Sequence, residues 1–127
     1  MTLTNAISRW VLAIFMMVAG TAHFLNPAFF LKIMPPYVPL HAELVLVSGL
    51  CEILLGILLL VPRCSRLAAA GIVALLVAVF PANLYLYDHQ DLVPAPSLVH
   101  FLRLPLQAVF ILWAFWHTRP AGKPVRP

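Results

Sequence analysis

Four apolar stretches, each close to twenty residues long, restrict the fold of this chain more than any other feature. They cover residues 8–25, 41–61, 66–87 and 97–116. A helix needs about 20 apolar residues to cross a hydrocarbon layer of about 30 Å, and the stretches meet that length. Because unpaired backbone groups are costly in lipid, such segments must be helical. The sequence therefore predicts an all-α membrane protein, a bundle of four transmembrane helices.

The composition supports a membrane protein and argues against a soluble domain and against a nucleic-acid-binding protein. Hydrophobic residues make up 63% of the 127 positions and charged residues only 9%, whereas soluble domains carry roughly 25% charged residues. We therefore expect one membrane domain over residues 1–127, embedded in a lipid bilayer. The net charge of +4 does not indicate a nucleic-acid partner, because the basic residues flank the apolar stretches and form no stripe with stacking aromatics.

The charged residues also give the spans a direction. Lysine and arginine concentrate on the side of the two termini and of the second connection: Arg9, Arg63, Arg66, Arg119, Lys123 and Arg126. The opposite connections carry Lys32 together with Asp88 and Asp91. Since cytoplasmic segments carry an excess of Lys and Arg, we expect both termini to face the cytoplasm.

One carboxylate interrupts the second apolar stretch. Glu52 lies about ten residues into that stretch, which places it roughly 15 Å deep and close to the middle of the membrane. A charge at that depth is unfavourable by about 2.5–3.5 kcal/mol on insertion scales. Glu52 shares a helix face with Gly49 and Gly56, and glycines allow a neighbouring helix to approach closely. We therefore expect a polar partner for Glu52 on another helix.

Further polar residues converge on the same depth range. His100, Arg103 and Gln107 form one stripe of the fourth stretch, and Met16, Gly20 and His23 form a line on the first. We predict that Glu52 pairs with Arg103, and that His23, Asn83 and Gln107 add hydrogen bonds. Pro81 and Pro105 each free a helix carbonyl nearby, which favours a small outward-facing pocket. The predicted pocket residues are His23, Glu52, Asn83, Arg103 and Gln107.

Other residues carry weaker signals. The connection over residues 26–39 contains Phe29, Phe30, Ile33 and Met34, which we expect to lie on or dip into the outer membrane surface. We expect His100 at the membrane interface. His23, Cys51, Glu52 and His100 match no compact metal-ligand spacing, so no metal site is predicted. No nucleophile–base pair, phosphate loop or haem-attachment motif is present, so catalysis by this chain alone is not predicted.

Five blocks of the sequence together resemble the small DoxX-like membrane proteins of bacteria. These blocks are "AGTAHFLNP", "MPPYVP", "SGLCEILLGILLLVPR", "AVFPANLYLY" and "LRLPLQ", and the resemblance spans residues 18–116. The resemblance implies a four-helix bundle in the bacterial inner membrane. The positions that match the polar pattern of the DoxX-like family are His23, Glu52, Asn83, Arg103 and Gln107.

The resemblance implies several activities, and three functions stay open. One DoxX-like branch is similar to a subunit of a thiosulfate:quinone oxidoreductase, and another is linked to methylamine-dehydrogenase maturation. The chain could thus be a redox-linked component whose pocket binds a quinone headgroup or a small oxyanion. It could instead be a non-catalytic accessory protein for another membrane protein, with polar residues that only fix helix register. A third hypothesis is a small-molecule or lipid binder or transport subunit, which would form a homo-oligomer.

Overall fold

The structure is a computed structural model that describes residues 3–119. Five α-helices occupy this part of the chain: α1 (Leu3–Leu25), α2 (Pro27–Lys32), α3 (His41–Leu59), α4 (Ser65–Asp88) and α5 (Ser97–Trp116). A single 3-10 turn, Gln90–Leu92, lies between α4 and α5, and these residues include no strand. Four of the helices, α1, α3, α4 and α5, are long and apolar enough to cross a membrane. The four predicted spans are therefore confirmed as helices.

The ends of these helices differ slightly from the apolar stretches. α1 begins at Leu3, five residues before the predicted start, and α3 ends at Leu59. A helix can continue beyond the apolar layer, since each backbone N–H still bonds the carbonyl four residues earlier. α4 and α5 continue through Pro81 and Pro105, respectively.

The four long helices pack in chain order. α1 packs against α3, α3 against α4, and α4 against α5. Side chains join α5 to α1: the rings of Phe15 and Phe110 stack with their centroids 4.6 Å apart, and Trp113 Nε1 donates a hydrogen bond to Ser8 Oγ. The result is an antiparallel up-and-down bundle, which short connections favour.

The apolar core lies in the half of the bundle that contains the chain termini, which we call the terminal half. Its buried members come from all four long helices: Leu12, Ala13, Met16, Leu59, Ala68, Ala69, Ile72, Leu76 and Ala114. The opposite half, called the distal half, contains the ends of α1 and α4 and the beginnings of α3 and α5. The predicted polar residues lie toward this distal half, which leaves the core of the terminal half apolar.

The segment over residues 26–40 closes the distal end, and we call it the cap. It consists of α2 and a series of turns, and His41 Nε2 lies 3.0 Å from the carbonyl oxygen of Pro35. Leu40, which joins the cap to α3, has a left-handed backbone with φ 56°. That conformation is unfavourable by roughly 1–2 kcal/mol for a residue with a Cβ atom. The chain thus enters α3 through a strained residue.

Candidate functional site

The close packing of α1 and α3 positions the two ionisable residues of the site. Gly20 and Gly49 face each other so closely that a Cβ atom on Gly20 would lie 2.6 Å from the carbonyl oxygen of Gly49. Gly56 makes a similar contact with the backbone of Ala13. The predicted role of Gly49 and Gly56 is confirmed, because both are buried on the Glu52 face of α3. This backbone contact brings His23 and Glu52 together.

Glu52 is close to a histidine rather than to the predicted arginine. His23 Nδ1 lies 3.2 Å from Glu52 Oε2, and the two residues are only 8% and 7% exposed. His23 Nδ1 also lies 2.9 Å from the carbonyl oxygen of Ala19, one turn earlier in α1. Within residues 3–119, Glu52 forms no ion pair with Arg103, so the predicted pair is wrong. The reason is helix order: α3 packs between α1 and α4, whereas α5 packs on α4.

Asn83 and Gln107 form a second polar pair, across α4 and α5. Asn83 Nδ2 donates to Gln107 Oε1, and Gln107 Nε2 donates to the carbonyl oxygen of Leu76. Gln107 is buried at 4% exposure. The prediction that both amides bind Glu52 is wrong, because each already has a partner at the α4–α5 contact. Leu76 precedes Val77 in α4. The carbonyl oxygen of Val77 has no helical donor, because Pro81 lacks a backbone N–H.

A cavity of about 330 Å³ lies in the distal half, between the long helices and the cap. Its walls are mainly aliphatic and aromatic, and the lining side chains that carry a polar group are His23, Tyr37, Ser48, Glu52, Asn83 and Arg103. Four of the five predicted pocket residues therefore line one cavity. Gln107, the fifth, is not part of the lining.

Arg103 contributes a positive charge to this cavity. It lies on α5, is half-buried, and lines the cavity together with Glu52. Its guanidinium forms neither a hydrogen bond nor an ion pair with any residue between 3 and 119. A guanidinium presents five N–H donors and stays charged, so Arg103 can donate to an oxygen of a bound molecule.

The cap supplies aromatic walls that the sequence did not reveal. The Phe30 ring stacks on the His23 imidazole, with centroids 3.8 Å apart and planes 14° apart, and Phe29 meets Phe30 edge-on. Phe29, Phe30, Ile33 and Met34 all line the cavity. That this segment lies on or dips into the outer membrane surface stays a prediction. The only sequence signal that the cap covers the cavity is its two apolar pairs after Pro27, which are Phe29 with Phe30 and Ile33 with Met34.

His100 lies in the first turn of α5, next to the connection that precedes this helix. It is 1% exposed, and its Nε2 lies 3.0 Å from the carbonyl oxygen of Val93. This contact joins the connection before α5 to the first turn of α5. The position of His100 at the membrane interface stays a prediction. His100 does not line the cavity. Among residues 3–119, no group of three histidine, cysteine or acidic side chains could hold a metal ion.

A second polar cluster, also missed from the sequence, lies at the end of the terminal half. Ser8 Oγ accepts a hydrogen bond from Trp113 Nε1 at 2.7 Å and lies 2.9 Å from His117 Nε2. Arg9 Nη1 donates to Ser65 Oγ at 3.3 Å. These contacts join α1 to α4 and α5. The predicted basic residues Lys123 and Arg126 lie outside the residues that the structure describes.

Comparison with known proteins places the chain in a family whose role is not assigned. No curated protein and no solved structure matches the sequence. A family model matches residues 12–118, from the middle of α1 to just after the end of α5. The family is described as "Domain of unknown function (DUF8561)", and the chain belongs to it.

Proposed function

We propose that this protein binds a small amphipathic molecule in the intramembrane cavity of its distal half, and that a quinone headgroup is the candidate class. One observation carries the proposal: an apolar-walled cavity of about 330 Å³ contains the carboxylate of Glu52 and the guanidinium of Arg103 without an ion pair between them. Ligand pockets begin at about 300 Å³ and combine apolar walls with a few convergent polar groups.

The walls favour an amphipathic ligand over a small oxyanion, the other predicted class. An oxyanion leaves its hydration shell on entering, and among residues 3–119 Arg103 is the only permanently charged cation in the lining. A molecule with an apolar body instead buries its surface against Val45, Leu75 and Val79. Burial of apolar surface contributes about 25 cal/mol per Å², and Arg103 can donate to a carbonyl oxygen of the headgroup.

The cellular setting is part of the proposal. We place the protein in a bacterial inner membrane, with both termini in the cytoplasm and the cavity opening outward. The basic side chains at the terminal end support this orientation, as Arg63, Arg66 and Arg119 are exposed there while Asp88 lies at the distal end. The resemblance to DoxX-like proteins belongs to the same proposal, since four of the five matching polar positions line the cavity.

A non-catalytic accessory protein is the second candidate. It is favoured by the way in which the polar pairs join neighbouring helices: His23 with Glu52 across α1 and α3, and Asn83 with Gln107 across α4 and α5. Polar contacts between membrane helices contribute on average about 0.6 kcal/mol. In this alternative the polar residues hold the bundle together, and the cavity takes no specific ligand.

Cavity-filling variants separate the two candidates. Ala82 lines the cavity, whereas Ala74 lies on α4 outside the lining and is exposed. We expect Ala82→Phe to weaken binding of a benzoquinone with a decyl tail at least tenfold, and Ala74→Phe to leave it unchanged. The measurement is a titration of the purified protein in detergent, with circular dichroism to verify that both variants are folded.

The double variant Glu52→Gln with Arg103→Gln provides the complementary test. We expect a folded protein that has lost most of its quinone affinity, because the Arg103 guanidinium, which donates to a headgroup oxygen, is replaced by a neutral amide. Unchanged affinity in the double variant and in Ala82→Phe would exclude the cavity as the binding site. That result would leave the accessory protein as the better account.

A further inference from the structure

The carboxylate of Glu52 is buried without a hydrogen bond. Its Oε2 atom has no hydrogen-bond partner among residues 3–119, although His23 Nδ1 lies 3.2 Å away. The same nitrogen lies 2.9 Å from the carbonyl oxygen of Ala19, and a neutral imidazole has only one N–H to donate. When that proton points to Ala19, Oε2 is left as an open acceptor.

An open acceptor at this place calls for a donor from outside the chain. Glu52 is 7% exposed and lines the cavity, but Oε2 itself is buried, so a donor in the cavity reaches this oxygen when the carboxyl group rotates toward the cavity. A buried polar atom without a partner is unfavourable, and more so when it is charged. The other side-chain donors of the lining do not satisfy Oε2, since none of Tyr37, Ser48, Asn83 and Arg103 forms a hydrogen bond or ion pair with it.

The cavity also contains an aromatic corner. Phe29 and Phe30 meet edge-on with centroids 5.2 Å apart, and both line the cavity together with Tyr37. Offset and edge-on ring contacts are worth about 0.5–1.5 kcal/mol beyond the area they bury. An aromatic body therefore gains more in this corner than an alkyl chain of equal area.

From these two features we infer that the ligand is a phenolic amphiphile, whose hydroxyl group donates a hydrogen bond to the Glu52 carboxylate and whose ring lies against the cap. The inference rests on the proposed function, since it names the chemical class of the molecule in the same cavity. It adds a requirement that the proposed function lacks, namely a hydrogen-bond donor on the headgroup. A quinone has only carbonyl acceptors, so within the proposed class the requirement is met by the reduced form, a quinol, whose ring carries hydroxyl groups. Arg103 then contacts a second oxygen where the ligand has one.

A pair of probes that differ only in the donor tests this requirement. 4-Hexylphenol has a hydroxyl group, and 4-hexylanisole has the same ring and tail with that hydroxyl methylated. A hydrogen bond to a charged group gives about tenfold or more in affinity, so we expect the wild-type protein to bind the phenol at least tenfold more tightly. Dissociation constants are measured by titration of the purified protein in lipid nanodiscs.

Two variants of Glu52 test whether the preference for the phenol over the anisole depends on this carboxylate. Glu52→Gln retains a weaker, neutral acceptor and should reduce the preference for the phenol, whereas Glu52→Met has no oxygen and should abolish it. Glu43→Gln is the matched control, because Glu43 is an exposed carboxylate on the same helix, outside the cavity lining. The control should keep the full preference. Circular dichroism verifies that each variant is folded.

The outcomes separate this inference from the proposed function. Equal affinity for both probes in the wild-type protein would overturn the inference, and a water molecule on Glu52 would then be the better account, while binding in the cavity would stand. A preference that persists in Glu52→Met would overturn it as well, since the hydroxyl group would then bind elsewhere. Failure of both probes and of the quinone to bind would overturn the inference and the proposed function together.

Discussion

His117, just after the end of α5, is a buried histidine whose charge depends on its surroundings. It is 8% exposed, and Ser8 Oγ lies 2.9 Å from its Nε2 atom. Burial, and secondarily the positive charge of Arg9, lower the pKa of His117 from its ordinary value of 6.5. A neutral imidazole accepts a hydrogen bond from the Ser8 hydroxyl group at Nε2, while Ser8 in turn accepts a hydrogen bond from Trp113. The folded protein thus favours uncharged His117.

The lowered pKa predicts a loss of stability in acid. As pH falls below 6.5, the unfolded chain binds a proton at His117 before the folded protein does, so the free energy of unfolding decreases. We expect this part of the decrease to disappear in His117→Gln, whose amide can still bind Ser8. The measurement is the thermal unfolding midpoint in detergent between pH 7 and pH 5.

The matched control for this prediction is His89→Gln. His89 is exposed at the opposite end of the bundle, after α4. Its replacement should leave the pH dependence as in the wild-type protein. If the unfolding midpoint of His117→Gln fell with pH as steeply as that of the wild-type protein, protonation of His117 would not weaken the fold.

Between elements, the contact of α1 with α3 is the most tightly constrained. A Cβ atom on Gly49 would lie 2.7 Å from His23 Cβ and 2.9 Å from the carbonyl oxygen of Gly20. Both neighbours are attached to the backbone, so neither can move without a shift of the whole helix. The same contact holds His23 beside Glu52 and so builds the inner wall of the cavity.

This contact predicts a contrast between two glycine substitutions. Gly49→Ala should destabilise the protein by about 1–3 kcal/mol, the usual range for overpacking. Gly71→Ala should be nearly neutral, because its Cβ would meet only the flexible tip of Leu55, at 2.7 Å. Reversible unfolding in mixed detergents, followed by circular dichroism, gives both values. Equal stability of the two variants would mean that α1 and α3 are less closely packed than described.

For the whole molecule, the direction of the bundle in the membrane is the property on which the proposed site depends. The exposed arginines at the terminal end and the aspartates at the distal end support cytoplasmic termini. In the proposed orientation, a cavity in the distal half faces away from the cytoplasm. Its ligand would enter from the outer leaflet or from the space outside the membrane.

Cysteine labelling tests this direction. In a background without Cys51 and Cys64, a cysteine at Asp88 or Asp91 should react with an impermeant maleimide added to intact cells, and one at Lys123 should react only after lysis. The Lys123 variant after lysis is the control for reactivity. The reverse pattern would invert the bundle and place the cavity on the cytoplasmic side.

The sequence alone determined the number, the order and the approximate ends of the membrane helices. Lipid offers the backbone no hydrogen-bond partner, so a long apolar stretch has only the helix available. The sequence also indicated that Glu52 needs a polar partner, and that Gly49 and Gly56 face a close neighbour. Each of these inferences uses only the local chain and the properties of the surrounding lipid.

Only the tertiary structure decided which side chains meet. Glu52 lies beside His23 rather than Arg103 because Gly20 and Gly49 bring α1 against α3, while α5 packs on α4. Asn83 and Gln107 bind each other for the same reason. The cap folds Phe29 and Phe30 over the cavity, a contact that the sequence did not indicate. Helix order, rotation and the path of a connecting segment arise from contacts between distant residues, which periodicity along a single helix does not encode.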